Sequence, residues 1–100
     1  MIGYRLSEKA DEDFESIYLY GFLNFGLLQA DAYADGMVER FEQLAEQPDI
    51  YPAIDHVRPG YRFSVYKSHT IYYRKQSDYV LVVRILRSQD VSAALEEEKV

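Results

Sequence analysis

Residues 61–86 read YRFSVYKSHTIYYRKQSDYVLVVRIL and hold three strand patterns separated by short turns. Large apolar residues alternate with others over 61–66, and the runs 69–74 and 79–86 are rich in β-branched and aromatic residues, which favour strands. Gln, Ser and Asp at 76–78 give a turn signal between the last two runs. The stretch therefore predicts three consecutive strands in meander order.

The last predicted strand is apolar on both faces. By simple alternation, Leu81, Val83 and Ile85 share one face, and Val80, Val82, Arg84 and Leu86 share the other. Because one helical hairpin covers only one face of a sheet, the second face is predicted to remain partly uncovered. Large exposed apolar patches usually mark interaction sites, so this face is a candidate binding surface.

The N-terminal region predicts a short strand followed by a helix. Apolar residues alternate over 2–6, and Ser7 stands where its hydroxyl can accept a backbone N–H of a first helical turn. Apolar residues then recur at helical spacing, which predicts a first helix from Glu8 to about Asn24 that stops near Gly26.

A second helix has the clearest periodicity in the sequence. From about Leu27 its apolar residues return every few positions up to Ala45, while acidic side chains occupy the other side. Gln47-Pro48 ends it, because the residue before a proline avoids helical backbone angles. So short a connection between the helices predicts an antiparallel hairpin, and 49–59 is the longest irregular segment. The length of 100 residues predicts one domain spanning 1–100.

Charge is segregated along the chain. Residues 1–57 carry 3 basic and 12 acidic side chains (−9), residues 58–87 carry 7 and 1 (+6), and residues 88–100 carry 1 and 4 (−3), which together give the net charge of −6. The acidic part would repel nucleic acid, while the basic segment attracts phosphates or a carboxylate-rich partner. Pairing of these bases with the helices' own acids is the structural alternative.

Composition limits the compartment. The chain has no cysteine, so it lacks disulfides and thiolate chemistry and suits a reducing cytoplasm. Its least polar stretch, 17–28, is 12 residues long, whereas a membrane span needs about 20. The N-terminus lacks the apolar segment of a secretory signal. A cytoplasmic location without membrane contact is expected.

The sequence contains no recognisable cofactor, metal or catalytic motif. Its glycines fit no nucleotide-binding spacing, His56 and His69 lack metal-ligand spacing, and Ser68 is not in a nucleophile elbow. We therefore expect no cofactor, no metal and no catalytic residue.

Basic and tyrosine side chains are interleaved in the predicted strands. The candidate target-binding cations are Arg62, Lys67, Arg74, Arg84 and Arg87. Interleaved arginine and tyrosine can bind RNA through phosphates and base stacking, and cations can stabilise the phosphorane of RNA cleavage. His69 is the natural general base near neutral pH, although a lone histidine at a strand start is more often structural.

Six short blocks stand in an order that is more specific than any one of them. They are Tyr4-Arg5-Leu6-Ser7, the Ala10, Asp13, Ile17, Tyr20 pattern, Phe41 to Pro48, Arg58-Pro59-Gly60-Tyr61-Arg62, His69-x-Ile71-x-Tyr73-Arg74 and Arg84-Ile85-Leu86. Together they span nearly the whole chain, and they resemble the ParE branch of the RelE/ParE superfamily of bacterial type II toxin–antitoxin toxins.

The resemblance implies an α+β fold in the order β-α-α-β-β-β, with a helical hairpin on one face of a twisted, mainly antiparallel sheet. It also implies a growth-inhibiting protein that inhibits DNA gyrase and is neutralised by a ParD-type antitoxin. Contact with nucleic acid would then be indirect, through gyrase.

Two other readings stay open. RelE-like relatives cut ribosome-bound messenger RNA with several basic residues and a tyrosine near the C-terminus, but the last tyrosine here is Tyr79. Many ParE members follow the R-I-L block with a histidine and, shortly after, an arginine, whereas this chain continues Arg87-Ser88-Gln89-Asp90. A partner-binding module that has lost toxicity is the remaining reading.

The uncovered sheet face also suggests where an antitoxin would dock. The candidate antitoxin-binding residues are Val80, Val82, Arg84 and Leu86. An amphipathic helix or an added strand would cover the apolar side chains and direct carboxylates at Arg84 or Arg74.

Overall fold

A computed structural model describes residues 3–87, in which two helices lie on one face of a four-stranded sheet. The elements are β1 (Tyr4–Leu6), α1 (Glu8–Phe25), α2 (Leu27–Glu46), β2 (Tyr61–Tyr66), β3 (His69–Lys75) and β4 (Val80–Leu86). The predicted β-α-α-β-β-β order and α+β class are confirmed. Ile2, which the alternation placed in the first strand, lies outside the described residues.

The sheet is mixed and mainly antiparallel, in the order β1-β4-β3-β2. β2, β3 and β4 form the predicted antiparallel meander. β1 joins the far edge and runs parallel to β4, with Tyr4 opposite Val80. The two chain ends of the described fold therefore meet in neighbouring strands.

Short local signals set the helix ends. Ser7 accepts the backbone N–H of Ala10 at 3.0 Å as the N-cap of α1, and its hydroxyl donates to the carbonyl of Val83 on β4 at 2.9 Å. Gly26 separates the helices with φ of +92°, a conformation that side chains other than glycine rarely adopt. Ser7 thus caps the start of α1 and bonds it to β4, while Gly26 ends α1 and allows the chain to turn into α2.

The main core lies between the hairpin and the sheet. Met37, Phe41 and Leu44 of α2 are almost completely buried against Tyr73 of β3 and Val82 of β4. Fully burying a side chain of this kind contributes about 1.5–3 kcal/mol. This core fixes α2 on the sheet, and α1 closes it with the buried Ala10.

The second face of the sheet is buried in part: it carries its own cluster of buried side chains, while Val65, on the same face by the alternation of β2, is 56 % exposed. Residues 47–60 run beside the edge strand β2, where Ile54 N donates to Tyr61 O at 2.9 Å. Ile54 then packs with Tyr72, Val83 and Leu86 in a second cluster of buried side chains. The irregular segment thus contributes Ile54 to the buried part of this face.

A β-bulge in β4 overturns the simple alternation. The register shifts so that Tyr72 lies opposite Arg84 and Tyr73 opposite Val82, which leaves Val83 as an extra residue. Ile85 therefore belongs to the hairpin-side core, and Leu86 belongs to the second cluster.

The expectation that Val80, Val82 and Leu86 face outward is therefore wrong for the chain without a partner. Val80 and Val82 are 0 % exposed in the core beneath the hairpin, and Leu86 is 4 % exposed in the second cluster. The extra residue in β4 and the packing of side chains from distant segments are tertiary features that a period of two does not encode.

Candidate functional site

Arg84, expected at a binding surface, makes an ion pair inside the chain. Its Nε donates to Asp13 Oδ2 at 2.8 Å and its Nη2 donates to Asp13 Oδ1 at 3.1 Å. The two side chains are only 13 % and 18 % exposed. The pair joins α1 to β4. For Arg84, the structural alternative is therefore confirmed: this basic side chain pairs with an acidic side chain of a helix.

Arg62 is also used internally. Its Nη1 donates to the carbonyl of Tyr51 at 2.6 Å and to that of Asp49 at 3.2 Å, while Nη2 lies 3.9 Å from the Asp49 carboxylate. Lys75 reaches the same carboxylate at 3.0 Å. These cations hold the 47–60 segment against the sheet.

Arg74 lies on the face covered by the 47–60 segment. Its guanidinium is 5.6 Å from the ring centroid of Tyr61, and the guanidinium of Arg58 is 5.2 Å from the same centroid. Among the described residues no hydrogen-bond partner reaches the buried Nε of Arg74. The contacts of Arg74 are thus with Tyr61 on this face of the sheet, whereas Arg84 is paired with Asp13 of α1.

Lys67 and Arg87 are the two predicted cations that lie near Tyr33. Lys67 is an exposed turn residue with φ of +50°, and its Nζ lies 5.7 Å from the ring centroid of Tyr33. Arg87 is exposed at the end of β4 and lines a cleft beside His69 and Tyr33. The five predicted cations thus divide into internal ties, one sheet-face arginine and this exposed pair. Their binding roles stay predictions.

The cleft beside Arg87 has a volume of about 210 Å³ between α1, the start of α2 and the start of β3. Its apolar wall is formed by Ile17, Tyr20 and Phe25, and its polar wall by Tyr33, Ser68, His69 and Arg87. No carboxylate is among the described residues that line it. We call this site the Arg87 cleft.

His69 and Tyr33 form the most closely coupled polar pair of the Arg87 cleft. The Tyr33 hydroxyl and His69 Nδ1 are hydrogen-bonded at 2.7 Å, and the two rings meet edge to face. Burial lowers the pKa of His69, the positive charge of Arg87 lowers it further, and the Asp13 carboxylate acts in the opposite direction. A lowered pKa keeps the imidazole neutral at pH 7, so it contributes hydrogen bonding there and Arg87 contributes charge.

The sequence prediction missed a surface at the far end of the hairpin. We define the hairpin tip as residues 19–28, where α1 turns into α2. Its exposed side chains include Leu19 (56 %), Leu23 (71 %), Phe25 (58 %) and Leu28 (87 %). The signal was present, because no charged residue occurs from Ser16 to Ala30 and the apolar residues surround both helices instead of forming one stripe.

The described part of the chain offers neither a cluster of metal ligands nor a membrane-spanning helix. Residues 3–87 contain no group of three histidine, aspartate or glutamate side chains that could hold a metal ion. No helix within the same range is long and apolar enough to cross a membrane.

Comparison with known proteins identifies a matching family. Residues 4–91 match the family described as ParE toxin of type II toxin–antitoxin system, parDE. The chain is 35 % identical over 71 residues to Toxin ParE1 of Caulobacter vibrioides, a match that covers 71 % of this chain and 74 % of the relative. It is 33 % identical over 87 residues to Toxin ParE1 of Mycobacterium tuberculosis, covering 86 % and 89 %.

A solved structure supports the fold independently. A chain of the chromosomal ParDE toxin–antitoxin system from P. aeruginosa superposes with a TM-score of 0.71, covering 89 % of this chain and 98 % of that chain. Sequence identity between the two is 20 %, so this likeness concerns the fold.

Proposed function

Because this chain belongs to the ParE toxins of type II toxin–antitoxin systems, we propose that it stops growth by inhibiting DNA gyrase and that a ParD-type antitoxin neutralises it by direct binding. The observation that carries the proposal is the family match over residues 4–91. In this account the chain is not an enzyme, and it acts in the cytoplasm, where gyrase works.

The exposed surfaces are consistent with action by docking. Of the candidate target-binding cations, Lys67 and Arg87 are exposed, and neither forms an ion pair with another described residue, although Lys67 lies over the rings of Tyr33 and Tyr66. Arg62 and Arg84 hold the fold together through Asp49 and Asp13. We therefore assign target contact first to Lys67 and Arg87, and a supporting role to the other two.

A supercoiling assay tests the gyrase proposal. Purified chain is incubated with gyrase, ATP and relaxed or supercoiled plasmid, and topoisomers and trapped cleavage complexes are resolved on gels. We expect supercoiling to fall and linear DNA to accumulate after protein denaturation. Unchanged supercoiling with no trapped complexes at a molar excess of toxin would refute gyrase as the target.

One observation favours a second candidate function, RNA cleavage on the ribosome. His69 and Arg87 line the Arg87 cleft, and the Lys67 ammonium lies 5.7 Å from the ring centroid of Tyr33, which also lines it. The two cations could hold a phosphate, and the neutral imidazole could accept a proton. Primer extension on translated messages after induction distinguishes the two functions. New 5′ ends that disappear in His69→Ala would favour cleavage, whereas intact transcripts in arrested cells would exclude it.

Loss of toxicity is the third alternative, and a growth measurement separates it from the others. Induced expression in the absence of antitoxin is expected to arrest growth. Undiminished growth at the same protein level would leave antitoxin binding as the chain's remaining function.

A further inference from the structure

The hairpin tip is the largest group of exposed apolar side chains in the described part of the chain. Every residue from Phe22 to Gln29 is exposed, and Leu23 and Leu28 reach 71 % and 87 %. Soluble proteins rarely leave so many neighbouring large apolar side chains in water unless another molecule covers them.

The tip and the Arg87 cleft form one continuous surface. Phe25 and Tyr20 are exposed at the tip and also line the apolar wall of the cleft. Across the cleft stand His69 and the exposed guanidinium of Arg87. The surface therefore passes from uncharged and mainly apolar at the tip to cationic at the end of β4.

We infer that this combined surface is where the antitoxin docks, through an amphipathic segment that lays apolar side chains on the tip and a carboxylate on Arg87. The inference rests on the proposed function and names the antitoxin-facing surface of the toxin. It replaces the sheet face, because Val80 and Val82 are 0 % exposed.

Charge complementarity selects an acidic occupant. The described lining of the cleft contains Arg87 and no carboxylate, and the Lys67 ammonium stands 5.7 Å from the ring of Tyr33, which also lines it. A carboxylate on Arg87 would gain a charge-assisted, two-pronged hydrogen bond. A second copy of this chain would bring apolar tip residues, which match the tip, but it would also bring the same cations, which do not match Arg87. It therefore complements only the apolar part of the surface.

The apolar half suits a helix laid along the tip. A docked amphipathic helix presents apolar anchors at i, i+3, i+4 and i+7, and the tip offers exposed apolar side chains from the end of α1 and the start of α2 for such anchors. Phe25 and Tyr20 at the mouth of the cleft are large aromatic contacts of the kind that carry most of an interface's affinity.

The test measures the affinity of the full chain for its cognate full-length antitoxin, encoded beside it, by calorimetry or biolayer interferometry. Leu23→Asp and Arg87→Glu are expected to weaken binding at least about 30-fold, the range of interface hot spots. Ile50→Asp is the matched apolar control, since Ile50 is 66 % exposed in the 47–60 segment. Arg5→Glu is the charge control, an exposed arginine near the opposite end of β4. Both controls should bind within about threefold of the unmodified chain.

The outcomes separate the inference from the proposed function. If the unmodified chain does not bind the antitoxin, the proposed neutralisation fails. If it binds and Leu23→Asp and Arg87→Glu bind equally well, the neutralisation stands and this placement is wrong. Folding of each variant is checked by circular dichroism and thermal unfolding.

Photocrosslinking gives a second readout that does not depend on loss of affinity. A benzophenone amino acid at Leu28 is expected to capture the antitoxin in cells, and the same group at Ile50 is not. Crosslinks from position 28 that join two copies of this chain, with the antitoxin uncaptured, would overturn the choice of occupant.

Discussion

Arg84 on β4 and Asp13 on α1 share two hydrogen bonds, at 2.8 and 3.1 Å, and the same carboxylate accepts the backbone N–H of Ile85 at 3.0 Å. The carboxylate therefore satisfies the backbone just beyond the bulge in β4 as well as the guanidinium. Arg84, which the sequence suggested as a binding residue, therefore helps to hold the helical hairpin on the sheet.

Removing this carboxylate should destabilise the fold. Asp13→Ala removes the acceptor that the guanidinium of Arg84 and the N–H of Ile85 share, and we expect the free energy of unfolding to fall by about 2–4 kcal/mol. Asp13→Asn keeps one acceptor oxygen and should cost less. Urea unfolding measures both, with Glu15→Ala, an exposed acid on the same helix, as control. An Asp13→Ala value within about 0.5 kcal/mol of the unmodified chain would contradict the structural role.

Two helical glycines should respond in opposite directions to the same change. A Cβ at Gly21 meets the Cβ of Ala30 at 3.6 Å, an ordinary contact, so Gly21→Ala should gain about 0.5–1 kcal/mol from helix propensity. A Cβ at Gly36 would collide with the hydroxyl and ring of Tyr66, which is buried. Gly36→Ala should therefore lose about 1–3 kcal/mol through overpacking. Equal melting temperatures for the two variants would refute this difference.

Local signals predicted the elements well because each has a local physical cause. Ser7 caps α1, Gly26 ends it through a positive φ, and Pro48 follows the end of α2, so the helix bounds were accessible from sequence. The faces of β4 were not accessible, because the extra residue at Val83 depends on pairing with β3. Alternation then assigned Ile85 and Leu86 to the wrong sides.

The candidate site was predicted less well than the fold. Residue type and interleaving identified the cations, but whether Arg84 faces a partner or Asp13 depends on a contact between residues 71 positions apart. The hairpin tip was missed because its uncharged stretch was weighed only as a membrane span. Both features depend on how distant elements pack together, which the sequence of a single segment does not reveal.

The contribution of the 47–60 segment to the second cluster can be tested by truncating Ile54. Ile54 is 6 % exposed and belongs to the buried cluster of Tyr72, Val83 and Leu86, so Ile54→Ala should lower the free energy of unfolding by about 2–4 kcal/mol. Ile50→Ala, in the same segment but 66 % exposed, should stay within about 0.5 kcal/mol. Equal losses of unfolding free energy at the two positions in a urea titration would contradict a contribution of Ile54 to the buried cluster.

The lowered pKa of His69 predicts how stability depends on pH. An ordinary histidine titrates near pH 6.5, and burial together with Arg87 holds the folded pKa of His69 below that, against the weaker opposing effect of Asp13. Just below pH 6.5 the unfolded chain therefore binds more protons than the folded chain, so this contribution is complete above pH 6.5 and is lost as the pH falls through the folded pKa.

The matching measurement is the free energy of unfolding from pH 7.5 to 5 for the unmodified chain and for His69→Gln. The unmodified chain should lose more stability over this range than the variant, which cannot titrate at this position. NMR titration of the His69 ring should give a midpoint below about 6.5. Parallel stability curves, or a midpoint above that value, would contradict the burial of the imidazole beside Tyr33.

The most direct test of the whole account is a titration of antitoxin into a gyrase reaction inhibited by this chain. We predict that supercoiling returns fully at a stoichiometric equivalent of antitoxin when the toxin is unmodified or carries Ile50→Asp, and that gyrase stays inhibited when it carries Leu23→Asp. Gyrase unaffected by the toxin, or supercoiling restored equally for all three proteins, would contradict it.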